Sequence, residues 1–86
     1  MQFEGALLRE QGVEFAIVIV KKGVLDNGST AHDAIEGFSP VFPGLPIVLM
    51  AQDSRGTPYY RGRSDIVRFL SHVHPGRIPW QRFSFG

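Results

Sequence analysis

Two unbroken apolar runs limit the folds open to this chain. Residues 15–20 are six consecutive apolar residues, four of them β-branched, and residues 47–50 form a second apolar run of strand length. A strand with one solvent-exposed face alternates apolar and polar residues, whereas an unbroken apolar run indicates a strand that is buried on both faces. The sequence therefore predicts two central strands, each with neighbours in one sheet.

An amphipathic helix is predicted between these two strands. Four apolar residues recur at the i, i+3, i+4, i+7 spacing of one helix face: Ala31, Ala34, Ile35 and Phe38. A loop at residues 23–28 precedes the helix, Ser29 or Thr30 is the expected N-cap, and Pro40 ends the helix at Ser39. A helix that joins neighbouring parallel strands forms a right-handed crossover, so residues 15–20 and 47–52 are predicted to lie side by side.

Residues 3–12 fit two structures. Residues 6–11 are strong helix formers that Gly12 could terminate. Alternatively, Gln11-Gly12 is a two-residue turn that pairs residues 6–10 with residues 13–17. A six-residue helix has little stability of its own, and the long strand that starts at Val13 needs a second neighbour. The hairpin is the prediction.

The second half of the chain predicts strand, turn, strand and helix. After the strand at 47–52, residues 53–56 have turn chemistry. Residues 59–63 then alternate as an edge strand with Pro58 at its start. Ser64 is the expected N-cap of a second helix, which must end near Val73 because Pro75 follows. The predicted fold is a single α+β domain over residues 1–86, a mixed sheet with two helices in the order ββαββα and a short C-terminal strand.

Residues 44–73 carry a resemblance to a known family. The segment Gly44-Leu45-Pro46-Ile47-Val48-Leu49-Met50, followed by Gly56 and by Gly62 before the helix, resembles the C-terminal half of a thioredoxin-like domain. The resemblance implies that Pro46 takes the place of the family's cis-proline, which borders the active site. The chain has no cysteine, so the redox motif of that family and any thiol chemistry are excluded.

Two segments outside the predicted core elements contain proline: the connector between the first helix and the second central strand, and the C-terminal tail. Pro40, Pro43 and Pro46 are spaced by three, which fits a rigid connector or, alternatively, a PxxP ligand for an aromatic groove. The connector is the prediction because its apolar residues are suited to the core. The tail at residues 77–85 is either a final edge strand or an arm that packs on another subunit.

Composition and charge indicate a small globular protein. Hydrophobic residues make up 43% of the chain and charged residues 20%, which argues against disorder. Residues 1–43 carry three basic and six acidic groups, whereas residues 44–86 carry six basic and two acidic groups. The start lacks a signal-peptide pattern, and no apolar run is long enough to span a membrane. With no cysteine, we expect a soluble cytoplasmic protein without a membrane partner.

No motif in the sequence predicts catalysis. His72 and His74 form an H-x-H pair without an identifiable third ligand, so a metal site is not expected. His32, Asp33 and Glu36 share the polar side of the first helix, where a solvated face is the simpler interpretation than a general base. Phosphate-loop, dinucleotide, nucleophile-elbow, zinc-protease and EF-hand patterns do not occur. The prediction is a protein that is not an enzyme and needs no cofactor.

The remaining surface pattern combines arginine with aromatic residues. Arginine forks suit phosphate and aromatic faces stack on bases, but both residue types also dominate protein interfaces. We therefore predict a non-catalytic protein-interaction module whose partner is another protein or a second copy in a homodimer. The alternative is an RNA- or phosphate-ligand-binding domain. The candidate ligand-binding residues are Arg55, Tyr59, Arg61, Arg63 and Trp80, which Arg68, Arg77 and Arg82 could extend.

Overall fold

One mixed sheet organises the computed structural model of the chain, which describes residues 1–84. Its strands are β1 (Gln2–Glu10), β2 (Val13–Ile19), β3 (Ile47–Gln52), β4 (Pro58–Arg61) and β5 (Gln81–Ser84). Across the sheet they lie in the order β4-β3-β2-β1-β5. Three helices complete the fold: α1 (Lys22–Leu25), α2 (Gly28–Phe38) and α3 (Ser64–Leu70). The predicted α+β class and mixed sheet are confirmed.

The two central strands lie side by side as predicted. β2 and β3 are parallel, with Ala16 opposite Ile47 and Ile19 opposite Met50. Their side chains enter two separate cores, one on each face of the sheet. The first core contains Val18 and is covered by α1 and α2; the second contains Ile17 and is covered by α3. Burial on both faces explains why neither run alternates.

The predicted hairpin, which pairs residues 6–10 with residues 13–17, is confirmed, including its register. β1 pairs with β2 in antiparallel fashion, with Ala6 opposite Ile17 and Glu10 opposite Val13. Gln11 and Gly12 between them have φ angles of 52° and 79°. Two consecutive residues with positive φ form a type I′ turn, whose twist matches that of the flanking strands. The helical alternative for this segment is therefore wrong.

The connection after β2 differs from the predicted loop in two ways. Residues 22–25 form the short helix α1, and α2 is capped by Asn27 rather than by Ser29 or Thr30. The Asn27 Oδ1 atom accepts hydrogen bonds from the backbone N–H groups of Ser29 at 2.8 Å and Thr30 at 3.4 Å. The Thr30 hydroxyl instead donates to the carbonyls of Val24 and Asn27. An asparagine caps as well as a serine, and here it stands earlier in the chain.

Replacing Asn27 by alanine is expected to lower the free energy of unfolding by about 1 kcal/mol, because two N–H groups of α2 lose their acceptor. Urea denaturation measures this change. Asn27→Ser is the control, since its hydroxyl can still accept from the first turn and should restore most of the loss. An Asn27→Ala variant as stable as the wild type would show that the cap contributes nothing.

The second predicted strand and helix are present but shorter. β4 ends at Arg61. The next residue, Gly62, lies so close to β3 that an added Cβ would be only 3.0 Å from Val48 Cγ2 and 3.1 Å from the Ile47 carbonyl oxygen. Ser64 is the first residue of α3 and not its cap; Arg63 precedes it without a side-chain capping bond. α3 ends at Leu70 rather than near Val73, because the N–H groups of His72 and Val73 bond three residues back, as in a tightened last turn.

The tail returns to the first strand. A 3₁₀ turn at Pro75–Arg77, which the sequence analysis does not predict, leads to β5, and β5 pairs with β1 from Gln2 opposite Ser84 to Gly5 opposite Gln81. The tail is thus an edge strand, as one of the two predictions has it; Phe85 lies outside the described residues. No peptide bond within residues 1–84 is cis, so Pro46 differs from the cis-proline that the resemblance implies.

The residues of the proline connector pack as predicted. Phe42 is buried in the first core, where its ring lies 5.1 Å from that of Phe83, and Val41 and Leu45 pack against the same core. Phe83 in turn stacks on Phe3 at 5.4 Å. These rings join the connector to β1 and β5. Within residues 1–84, no helix is long and apolar enough to cross a membrane.

Candidate functional site

The five predicted ligand-binding residues do not form one surface. Tyr59 and Arg61 lie on the face of β4 that looks toward α1, since they are paired with Ala51 and Leu49 of the first core. Trp80 packs against the second core, on the opposite face of the sheet. Arg55 lies in the turn after β3, and Arg63 lies beyond the end of β4. The prediction that Arg63 continues the strand is wrong because β4 ends earlier.

Asp53 organises the corner where β3 turns into β4. Its Oδ1 atom accepts hydrogen bonds from the backbone N–H groups of Thr57 at 3.0 Å and Arg55 at 2.8 Å. The Tyr59 hydroxyl donates to the other oxygen at 3.2 Å. The Thr57 bond first, then the bonds from Arg55 and Tyr59, lower the pKa of the Asp53 carboxyl group. This aspartate therefore fixes the turn that carries Arg55.

The lowered pKa predicts how the stability of this corner depends on pH. A carboxyl group with a depressed folded-state pKa stabilises the fold above about pH 4, its ordinary range, and this stabilisation is lost as the pH falls through the folded-state value. We expect Asp53→Asn to be less stable than the wild type at neutral pH and to lose less stability on acidification. Urea midpoints measured from neutral pH down to strong acid test this. Parallel profiles for the two proteins would contradict it.

Two basic side chains at this corner, those of Lys22 and Arg61, already have partners. Lys22 forms an ion pair with Asp26, and its Nζ atom lies 4.8 Å from the centroid of the Tyr59 ring. The Asp26 hydrogen bond is the main cause of the raised pKa of Lys22. The Arg61 Nε atom donates to the carbonyl of Leu25 at 3.0 Å, so this side chain ties β4 to α1. These contacts make the corner a structural junction.

Arg63 is neutralised by its neighbour on the same turn. Its Nε and NH2 atoms donate to the two carboxylate oxygens of Asp65 at 2.8 and 2.9 Å. The hydrogen bonds from Arg63 lower the pKa of Asp65. A bidentate pair occupies the planar fork that a phosphate would need. Arg63 is therefore poorly disposed to contact an anionic ligand.

A cleft that the sequence analysis does not identify lies on the opposite face, beside β4. The aromatic ring of Tyr60 and the segment after α3 form its walls. The Tyr60 hydroxyl is buried and has no hydrogen-bond partner among the described residues, and burial raises the pKa of this phenol. The H-x-H pair is the sequence feature that could have indicated this cleft, because His72 and His74 both line it.

The outer edge of β1 is the second feature without an assigned role. β5 covers β1 only at residues 2–5, while residues 6–10 pair with β2 on one side alone. Within residues 1–84 no strand pairs with the other side of that stretch. Leu7, the second residue of this β1 edge (residues 6–10), is 41% exposed. An exposed strand edge is a template for pairing with another chain.

The described residues bring no metal-binding cluster together. His32 Nε2 lies 3.1 Å from Glu36 Oε1 on the exposed side of α2, which matches the predicted solvated face. No group of three or more histidine, aspartate or glutamate side chains within residues 1–84 could hold a metal ion.

These features define a small α+β domain with an open strand edge. Comparisons with protein-family models, with curated proteins and with solved structures each find no match to this chain. The resemblance of residues 44–73 to thioredoxin-like domains thus stays a prediction.

Proposed function

We propose that this domain is a non-catalytic interaction module that pairs with a second copy of itself through the β1 edge. The observation that carries the proposal is the half-covered strand: β1 has nine residues, and β5 pairs with four of them. Small domains usually shorten, cover or charge an edge of this length. Here the edge carries one exposed leucine beside Arg9 and Glu10.

The geometry of the hairpin determines which backbone groups of β1 point away from β2 and are free to pair with another chain. In a two-residue hairpin the residues that flank the turn, here Glu10 and Val13, exchange both backbone hydrogen bonds. Backbone groups alternate in direction along an antiparallel strand, so those of Leu8 also point toward β2. The N–H and C=O groups of Leu7 and Arg9 then point away from the sheet. Four backbone groups are available on each copy.

One register between two copies uses all of these groups. A two-fold axis at Leu8 places Leu7 of one copy opposite Arg9 of the second copy, and the pair can exchange two hydrogen bonds. The symmetry repeats this pair, which gives four hydrogen bonds in total. An axis at Leu7 would place Arg9 opposite Gly5, whose outer side β5 already occupies. The free length of the edge therefore selects the axis at Leu8.

The side chains are compatible with the same register. Leu8 meets its own symmetry mate, and Leu7 lies against the aliphatic part of Arg9 from the second copy. Ala6 lies opposite Glu10, so no like charges are directly opposed. Each protomer adds five strands to a sheet that continues through the axis. Self-pairing thus covers the exposed leucine without burying an unpaired charge.

The alternative is an RNA- or phosphate-ligand-binding domain that uses Tyr59 and Arg61. The geometry supports it less well, because Lys22 and Arg63 are paired with carboxylates and Trp80 lies on the other face. Binding of short RNA that weakens steeply with salt, and that Arg61→Ala abolishes, would favour this alternative. We also propose that the interaction module is located in the cytoplasm, since a chain without cysteine suits a reducing compartment.

Sedimentation velocity over a range of concentrations tests self-association. We expect a species of about twice the 9.6 kDa chain mass at high micromolar concentration. Amide hydrogen exchange tests the register, because the Leu7 and Arg9 amides should become protected with concentration while those of Leu8 and Glu10 are protected throughout. A monomer at every concentration would refute the proposal, and a dimer with an unprotected Leu7 amide would refute this edge.

A further inference from the structure

We propose that Pro79 keeps the β1 edge open by stopping β5 from extending along it, so that the chain's own tail does not take the place of the second copy. The inference rests on the proposed function, because it concerns the same edge. β5 begins at Gln81, which pairs with Gly5. If β5 began two residues earlier in the same register, Pro79 would lie opposite Leu7.

A strand that pairs at Leu7 must supply an N–H group. The N–H of Ala16 in β2 donates to the Pro46 carbonyl on the β3 side at 3.0 Å. Backbone groups alternate in direction along a strand, so Ile17 bonds toward β1, and its partner Ala6 bonds back toward β2. The N–H and C=O groups of Leu7 therefore point away from β2. A strand at this position exchanges two hydrogen bonds with Leu7.

Proline cannot make this exchange. It has no N–H, so the carbonyl of Leu7 would receive no donor from Pro79. The proline ring also holds φ near about −65°, whereas an antiparallel strand uses about −140°. Within sheets, proline is confined to positions that need no ladder hydrogen bond from its nitrogen. Because the position opposite Leu7 needs one, β5 stops short of Pro79.

The backbone leaves the edge at Pro79 itself. The N–H of Trp80 donates to the Ile78 carbonyl at 2.8 Å, which closes a γ-turn around Pro79. An inverse γ-turn has a central φ of about −75°, which the proline ring fits. Beyond this turn Ile78 is buried in the second core, and the Trp80 indole N–H donates to the Pro75 carbonyl at 3.0 Å. These contacts hold the tail on the α3 side of the sheet.

Without the proline, the tail is suited to pair one step further. Ile78 and Trp80 both pack against the second core, which is the face that even-numbered residues of a longer β5 would occupy. The step after that would place Arg77 opposite Arg9, and like charges directly opposite each other destabilise a sheet. Extension of β5 would therefore occupy Leu7 and leave the outer side of Arg9 free.

Occupying Leu7 is enough to block the proposed dimer. With the two-fold axis at Leu8, both symmetry-related pairs join Leu7 of one copy to Arg9 of the second copy, so every backbone hydrogen bond between the copies involves Leu7. An extended tail and a second copy therefore compete for the same N–H and C=O groups. Pro79 removes the tail from this competition.

Amide hydrogen exchange and sedimentation velocity on Pro79→Thr test the inference. Threonine supplies the missing N–H and favours strands. In the dilute monomer we expect the Leu7 amide to exchange about tenfold more slowly than in the wild type, while the Arg9 amide is unchanged. The Kd of self-association should rise by at least about tenfold, because Leu7 is occupied. Pro79→Ala supplies the same N–H with a smaller side chain and should change both quantities in the same direction.

Gln81→Thr is the matched control. It places the same side chain on the same face of the tail, at a residue that already pairs with Gly5, and it keeps the proline. Leu7 exchange and the Kd should therefore stay as in the wild type. If Gln81→Thr slows Leu7 exchange as much as Pro79→Thr does, strand propensity limits β5 and the inference is wrong.

The two measurements separate this inference from the proposed function. A wild type that is monomeric at every concentration refutes the dimer, whereas slowed Leu7 exchange in Pro79→Thr would still support the role of the proline in ending β5. Leu7 exchange as fast as in the wild type, with the Leu8 and Glu10 amides still protected to show a folded hairpin, overturns the inference. A Pro79→Thr dimer as tight as that of the wild type overturns it as well.

Discussion

Replacing Leu7 by lysine is expected to make the protein monomeric at concentrations where the wild type is dimeric. In the proposed register the new lysine lies opposite Arg9 of the second copy, and symmetry repeats this like-charge pair. The variant also loses the burial of two leucine side chains. Together these effects weaken association by about 3 kcal/mol per dimer, or roughly 100-fold in Kd. Sedimentation velocity at matched concentrations measures the change.

Gln2→Lys is the matched control for this experiment. It adds the same charge to the same strand, but at a residue that β5 already covers. The control should remain dimeric. If both variants dissociate, added net charge is the cause and the proposed edge is not involved. If neither dissociates, a dimer would have to form through another surface.

Gly5→Ala is expected to lower the free energy of unfolding by about 2–3 kcal/mol. Gly5 lies in β1 between β2 and β5, and it is buried. A Cβ atom at this position would lie 2.6 Å from the carbonyl oxygen of Ile17 and 3.5 Å from the ring of Phe83. The first contact is with backbone, which cannot rotate away as a side chain does. β1 must therefore shift relative to β2, and urea denaturation should show the loss.

Glycine-to-alanine substitution at Gly37 is expected to change the free energy of unfolding in the opposite direction. Gly37 lies in α2, and no atom outside its own helix lies within 4 Å of the position of an added Cβ. Alanine there should stabilise the protein by about 0.5–1 kcal/mol, because a helical glycine carries a backbone entropy cost. A destabilised Gly37→Ala variant, or a Gly5→Ala variant as stable as the wild type, would contradict this account of the two positions.

Much of the fold is predictable because its signals are local. The turn at Gln11-Gly12 sets the register of the hairpin, and the two apolar runs with one helix between them allow little besides a parallel crossover. The N-cap of α2 is not fixed by the sequence, because Asn27, Ser29 and Thr30 are all residue types that cap helices well. The helix α1 itself has four residues, too few to show a periodic pattern.

The candidate sites were less predictable because they depend on distant pairing. Alternation along β4 correctly placed Tyr59 and Arg61 together, but the position of Trp80 follows from how the tail returns to β1. The Tyr60 cleft likewise forms only where the segment after α3 passes β4. The β1 edge is open because β5 is shorter than β1, and the length of a pairing partner is not encoded in β1 itself.

The pairing of Gln2 with Ser84 has a consequence for how the protein folds. This contact spans nearly the full described chain, whereas the hairpin and the β2–β3 crossover join segments close in sequence. Closing a long loop is slow relative to local pairing, so the last strand should dock last. During synthesis on the ribosome, the outer edge of β1 at residues 2–5 therefore stays unpaired until β5 emerges. In that interval the nascent chain is most exposed to wrong partners.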